Sequence, residues 1–227
     1  MYYLDWTMLL LIPGLLLGLW AQIKVKSAYA KYGRIATRRG VTAEQVSRDL
    51  LSRDGNGGVA IEPIAGELTD HYDPGANVLR LSQGVYGHNS IAAIGVAAHE
   101  CGHAMQDHHD YGPLKLRTAI VPAVNIGSNL YFPIFLLGLV FSWQPLITVG
   151  IICFALTFVF SLVTLPVEFN ASHRALSMLA QGGYVDEEEL RGVKAVLDAA
   201  ALTYVAAAIS SLLQLVRLLL LSRNRRD

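Results

Sequence analysis

Apolar residues run almost unbroken from Thr7 to Ile23, with Pro13, Gly14 and Gly18 as the only local irregularities. That length is close to the minimum for a bilayer span. Val25, Ala28, Tyr29, Tyr32 and Ile35 then continue at helical spacing, which predicts an anchor running on as an amphipathic helix until Gly40. Val41-Thr42-Ala43-Glu44-Gln45 reads as a capping box, with Thr42 as N-cap and Gln45 at N3, opening a short helix that stops near Gly55. The period then shortens. Residues 59–64 and 77–82 are short, alternating, β-prone runs on either side of Asp70-His71-Tyr72-Asp73-Pro74-Gly75, whose Pro-Gly signals a turn. They predict a small sheet or hairpin. Val78 to Ser82 is the candidate edge strand for holding an extended peptide by main-chain hydrogen bonds, and a packed hairpin with no substrate role is the equal alternative. Ser90 as N-cap and the small, apolar Ile91 to Ala98 begin a helix that reaches His109 and suits burial against neighbours.

The second half is dominated by longer apolar runs. Thr118 to Phe141 and Leu146 to Leu165 are each long enough to span, and the short uncharged Ser142-Trp143-Gln144-Pro145 makes them a transmembrane hairpin. Pro122, Pro133, Asn125 and Asn129 make the first less regular, and the asparagines are expected to face protein rather than lipid. Glu168 to Ala180 is helical in pattern and ends at Gly182-Gly183, after which Val185 to Leu190 supplies a second capping box with a hydrophobic staple. A final apolar run, Leu202 to Leu221, is interrupted by Gln214 and Arg217, and either crosses the bilayer or lies in its interface. The pattern therefore divides the chain into an anchor (1–23), a domain outside the bilayer (24–117), a hairpin (118–165), a helical return segment (166–200) and a last membrane helix with a basic tail (201–227). The fold class is mainly α with a small β hairpin or sheet, in a polytopic membrane protein with about four membrane helices.

Composition sharpens this. The chain is 53% hydrophobic and 16% charged, with a mean hydropathy of +0.39, too apolar for an ordinary soluble domain of this size. Formal net charge is zero and no basic cluster is interleaved with aromatics, so nucleic acid is excluded as a partner. Cys101 and Cys153 form no disulfide framework. Ala28-Tyr29-Ala30 resembles a signal-peptide cleavage site, but the charges are reversed for one. Asp5 precedes the apolar run, while Lys24, Lys26, Lys31, Arg34, Arg38 and Arg39 follow it. The reading is an uncleaved anchor with its N-terminus outside and the following segment in the cytoplasm. Arg223, Arg225 and Arg226 would lie outside if the last run crosses, and the larger count on 23–117 decides against them.

Candidate chemistry sits in the helix that starts at Ser90. His99-Glu100-Cys101-Gly102-His103 puts two imidazoles four residues apart, on one face and one turn apart, a two-point grip on a metal. Glu100 neighbours them without needing to be a ligand, and its carboxylate is placed to act as a general base on a water. Cys101 points to roughly the opposite side and reads as packing. His108 and His109 fall at the helix C-terminus, where histidine suits the dipole.

His99-Glu100-x-x-His103, the hairpin, and then Pro166-Val167-Glu168-Phe169-Asn170-Ala171-Ser172 resemble the bacterial membrane zinc metallopeptidase family typified by YugP. The order is similar to that of the HtpX/Ste24 membrane proteases. Asp70-His71-Tyr72-Asp73-Pro74, Arg80-Leu81-Ser82 and Ser90-Ile91-Ala92-Ala93 extend the resemblance over most of the chain. It implies a zincin-like catalytic domain in 24–117 and a zinc-dependent endopeptidase of the bacterial inner membrane, with one zinc per chain and a glutamate as third ligand. Glu168 is that glutamate, since the hairpin returns it to the face of the metal helix. His173, five residues on, points roughly 140° away around the same helix. HtpX-like proteins often carry an acidic residue four positions after the glutamate; here Ser172 stands there.

The expected activity is hydrolysis of polypeptides, membrane proteins among them, at the cytoplasmic face. His71, Tyr72, His88, His173 and Arg174 are the candidates for transition-state or substrate contact, and spacing does not separate them. Two rivals belong to other classes. One is a scaffold with a structural, four-ligand zinc site, which has no use for Glu100. The other is an intramembrane protease, whose metal helix would be part of a long apolar span, unlike Ile91 to Ala98. Substrate identity and oligomeric state are not encoded in these patterns.

Overall fold

The computed structural model describes residues 6–223, so the charges read at Asp5, Arg225 and Arg226 lie outside the described residues. A 3-10 turn, Trp6–Leu11, leads into α1 (Ile12–Tyr32). Then come α2 (Ala43–Arg53), β1 (Ala60–Ile64), β2 (His71–Asp73), β3 (Val78–Ser82), α3 (Ile91–His108), α4 (Gly112–Val140), α5 (Gln144–Gln181) and α6 (Glu187–Arg223). The protein is mainly helical with one small sheet. Among the described residues, four helices are long and apolar enough to cross a membrane by length and composition: Trp6–Tyr32, Gly112–Val140, Gln144–Gln181 and Glu187–Arg223. The chain forms two compact units. Among the described residues one comprises 6–21, 115–166 and 203–223, and the other 22–114 and 167–202.

The first unit is held by small residues and short polar contacts, as expected where lipid offers no hydrophobic drive between helices. A Cβ on Gly127 would stand 2.8 Å from the Cys153 carbonyl oxygen, and one on Gly138 2.7 Å from the Ile147 nitrogen, so α4 and α5 approach backbone to backbone. Phe135, Ile147, Phe154 and Leu218 are buried together. Ser161 Oγ and Ser211 Oγ lie 3.0 Å apart, and Gln144 Nε2 donates to Ser222 Oγ at 2.9 Å. Asn125 and Asn129, expected to face protein, are exposed on α4. Asn129 Nδ2 instead donates to the Asn125 carbonyl at 2.8 Å, a local bond that satisfies part of the amide without a neighbouring helix.

In the second unit both capping boxes form. Thr42 Oγ1 accepts from Gln45 N–H while the Gln45 side chain accepts from Thr42 N–H, and Asp186 and Glu189 exchange the same pair of bonds at 2.9 Å each. Three expectations change. α1 ends at Tyr32, well short of Gly40. Tertiary pairing takes over beyond it: Ile35 O accepts Ile91 N–H at 2.9 Å, Thr37 N–H reaches Asn89 O at 2.8 Å, and Ala36 bridges Ser90. The sheet has strand order β1-β3-β2, with β3 parallel to β1 and antiparallel to β2. Val78–Ser82 is thus the central strand rather than an edge, and Val78, Leu79, Leu81 and Ser82 are all buried. Its hydrogen bonds are used on both sides, which leaves β1 and β2 as the edges. Pro166 lies inside α5 rather than before a new helix. Proline removes one helical hydrogen bond, yet the residues on either side of this one are helical, and both Thr164 and Val167 are buried.

Candidate metal centre

Ser90 caps α3 as expected, its hydroxyl accepting from Ala93 N–H. The helix is then packed by small side chains, with Ala92, Ala93, Ala97, Ala98, Cys101 and Ala104 all fully buried. Cys101 Sγ faces the Ser47 carbonyl on α2 at 3.9 Å, and burial pushes its thiol up to about 12, so it is a packing group on the side away from His99 and His103. His108 closes the helix and His109 is its C-cap. The ring of His109 pairs with Asp54, Nε2 to Oδ1 at 2.8 Å.

The opposite face of α3 meets α5. Gly102 allows the contact: a Cβ there would stand 2.6 Å from the Ala171 carbonyl oxygen and 3.1 Å from its Cα. Across this approach the Glu168 carboxylate comes to the two imidazoles, Oε2 lying 3.3 Å from His99 Nε2 and 3.6 Å from His103 Nε2. Glu168 is 3% exposed. The ligand atoms of His99, His103 and Glu168 all lie within 4.8 Å of one another, and the two rings stand nearly perpendicular, centroids 4.8 Å apart. Two neutral nitrogens and one carboxylate oxygen are the donor set of an open zinc site. The outer ring atoms fit that role as well. His99 Nδ1 lies 3.1 Å from Ser172 Oγ and His103 Nδ1 lies 3.0 Å from Gln106 Oε1, leaving both Nε2 atoms on the side of the carboxylate. Ser172, four positions after Glu168, thus reaches the ring of His99.

Glu100 stays out of this triad. Its Oε2 accepts from the main-chain N–H of Tyr72, on edge strand β2, at 3.2 Å. Burial raises its carboxyl above the ordinary range, with His103 and His99 opposing the shift. A carboxylate tuned upward and beside three candidate ligands is suited to take and return a proton.

The remaining sequence candidates scatter. Tyr72 enters through its backbone, and its hydroxyl lies 3.1 Å from Asp107 Oδ2 and 3.2 Å from Asn77 Oδ1. His71, also on β2, has Nδ1 at 2.8 Å from Thr69 O and Nε2 at 3.5 Å from Arg80. His88 is exposed in the turn before α3, where its carbonyl accepts from Ala43 N–H. His173 is exposed on α5. Arg174 donates Nε–H to Asn170 Oδ1 at 2.9 Å. Sequence reasoning missed Gly102 and Gln106; the available signals were a glycine inside a helix motif and a glutamine three residues after His103 on the same helix face.

A family model described as "Putative neutral zinc metallopeptidase" matches residues 7–223. The protein named "Putative membrane protease YugP" of Bacillus subtilis (strain 168) is 47% identical over 218 residues, 96% of this chain and 97% of that protein. No solved structure matches the chain. Because the family match spans nearly the whole sequence, including both helices that carry the converging histidines and glutamate, the chain belongs to the neutral zinc metallopeptidase family.

Proposed function

We propose that this protein is a zinc-dependent endopeptidase of the bacterial cell membrane, with one zinc per chain held by His99, His103 and Glu168 and with Glu100 as general base. The carrying observation is the separation of roles in the geometry. Three donors converge within 4.8 Å, while Glu100, next in sequence to His99, turns its carboxylate to the edge strand β2. A structural site closed by four protein ligands has no need of such a residue. An intramembrane site is also disfavoured, since α3 is not among the four helices long and apolar enough to cross.

When bound, zinc supplies Lewis-acid activation of a water and of the scissile carbonyl. The chain supplies the rest. Glu100 accepts the proton of the attacking water and delivers it to the leaving amine. β2 is an edge strand beside the base, so a substrate segment can be received in extended form along it. The substrate class is flexible polypeptide, membrane proteins included, and the lipid bilayer is the surrounding partner. Residues 23–117 and 166–200 are assigned to the same, cytoplasmic face because the two spans between them return the chain and most of its Lys and Arg precede those spans.

The test is purified full-length protein in lipid nanodiscs with an unfolded polypeptide as substrate. Wild type should hold about one zinc per chain and cleave, and Glu100→Gln should keep the metal while turnover falls by about 10²–10⁴-fold. Undiminished cleavage by Glu100→Gln in a protease-free preparation would overturn the mechanism.

A further inference from the structure

Gln106 is 0% exposed, and all of its amide hydrogen-bonding groups except one lone pair are used. Oε1 faces His103 Nδ1 at 3.0 Å, and Nε2 donates to Val167 O at 2.8 Å and to Asn170 Oδ1 at 3.0 Å. Asn170 Oδ1 also receives Arg174 Nε–H at 2.9 Å. These contacts have a direction. A guanidinium can only donate, so the Asn170 atom facing Arg174 must be its oxygen. That oxygen and the Val167 carbonyl can only accept, so the Gln106 atom facing both must be the NH₂ group. The other end of the amide is then an oxygen, and an oxygen facing His103 Nδ1 requires that nitrogen to carry the proton. In the neutral ring, the form that binds a metal, His103 Nε2 is then left with a lone pair directed toward Glu168. His99 has no such constraint, because the Ser172 hydroxyl both donates and accepts.

We propose that Arg174, Asn170 and Gln106 form a polarity chain that sets the tautomer and orientation of His103 and ties it to the turn of α5 carrying Glu168. Gln106 is the positioning residue. It bonds to the carbonyl of Val167, the residue immediately before Glu168, so a single buried amide joins the second histidine to the segment that presents the carboxylate. The ligand set is thereby assembled before metal arrives, which reduces the ordering cost of binding. The inference rests on the zinc reading above and concerns affinity and site geometry.

The test is zinc affinity by chelator competition on full-length protein in nanodiscs, together with the visible spectrum of the cobalt-substituted protein. Gln106→Met keeps the volume and removes all three bonds; it should weaken zinc by about 10–100-fold and alter the cobalt spectrum. Asn170→Asp still accepts from both Arg174 and Gln106 and should remain within a few-fold of wild type, whereas Asn170→Leu should approach Gln106→Met. This contrast between isosteric variants is one that packing alone would not produce, and it stands if Gln106→Met fails to fold. A folded Gln106→Met with wild-type affinity and cobalt spectrum would overturn the proposal, as would Asn170→Leu and Asn170→Asp binding zinc equally. Wild type that binds no zinc would instead overturn the zinc reading itself.

Discussion

Gly102 on α3 lies directly against the carbonyl of Ala171 on α5, so close that a methyl group at residue 102 would stand 2.6 Å from that oxygen. The neighbour is backbone in a helix and cannot swing aside. Gly102→Ala should therefore push the helices apart, at an overpacking cost of about 1–3 kcal/mol. Since the motion separates His99 and His103 from Glu168, zinc affinity should fall by more than tenfold along with thermal stability. Chelator competition and thermal unfolding check both, and a Gly102→Ala protein with native affinity would refute the close-contact account.

Glu168→Ala should lose metal together with activity, because the carboxylate lies 3.3 and 3.6 Å from the two Nε2 atoms. His173→Ala should retain stoichiometric zinc, since that side chain is exposed on α5. Metal content of the two purified variants separates the roles; a folded Glu168→Ala protein with a full complement of zinc would show the ligand assignment to be wrong.

Tyr72 links β2 to α3. Burial, then the hydrogen bond to Asp107, pushes its phenol up to about 12. The folded value lies above the ordinary value of 10.0, so this group contributes stability that is complete below pH 10 and is lost as pH rises toward 12. Tyr72→Phe should be less stable than wild type at neutral pH by about 1 kcal/mol, and the gap should close across that alkaline window. Denaturant unfolding at a series of pH values measures it. A gap that stays constant from neutral to pH 12 would rule out the phenol as its source.

Sidedness is open to direct labelling. Ser52 lies exposed near the end of α2, so a Ser52→Cys protein in a Cys153→Ser background should resist an impermeant thiol reagent in intact cells and react once they are opened. Reaction in intact cells would reverse the assignment of 23–117 to the cytoplasm.

Much of this protein could be read without coordinates because the relevant interactions are local. The caps at Thr42, Ser90 and Asp186 join side chains to backbone within three residues, and a sequence window contains both partners. His99 and His103 share a helix face through helical pitch alone. Membrane-length apolar runs follow from composition, and four such helices are present among the described residues. What only the tertiary structure decided depends on partners distant in the chain. Val78–Ser82 became the central strand because β1, earlier in sequence, pairs with it in parallel. α1 stopped at Tyr32 because Ile35 and Thr37 bond to Asn89 and Ile91 rather than to their own helix. Pro166 did not end its helix although it has no N–H to donate. The pairing of Gln106 with Val167 and Asn170 spans more than sixty residues, and no local pattern records it. A glycine and a glutamine inside a helix carry no chemistry in isolation; the approach of α5 gives one its contact and the other two of its three bonds.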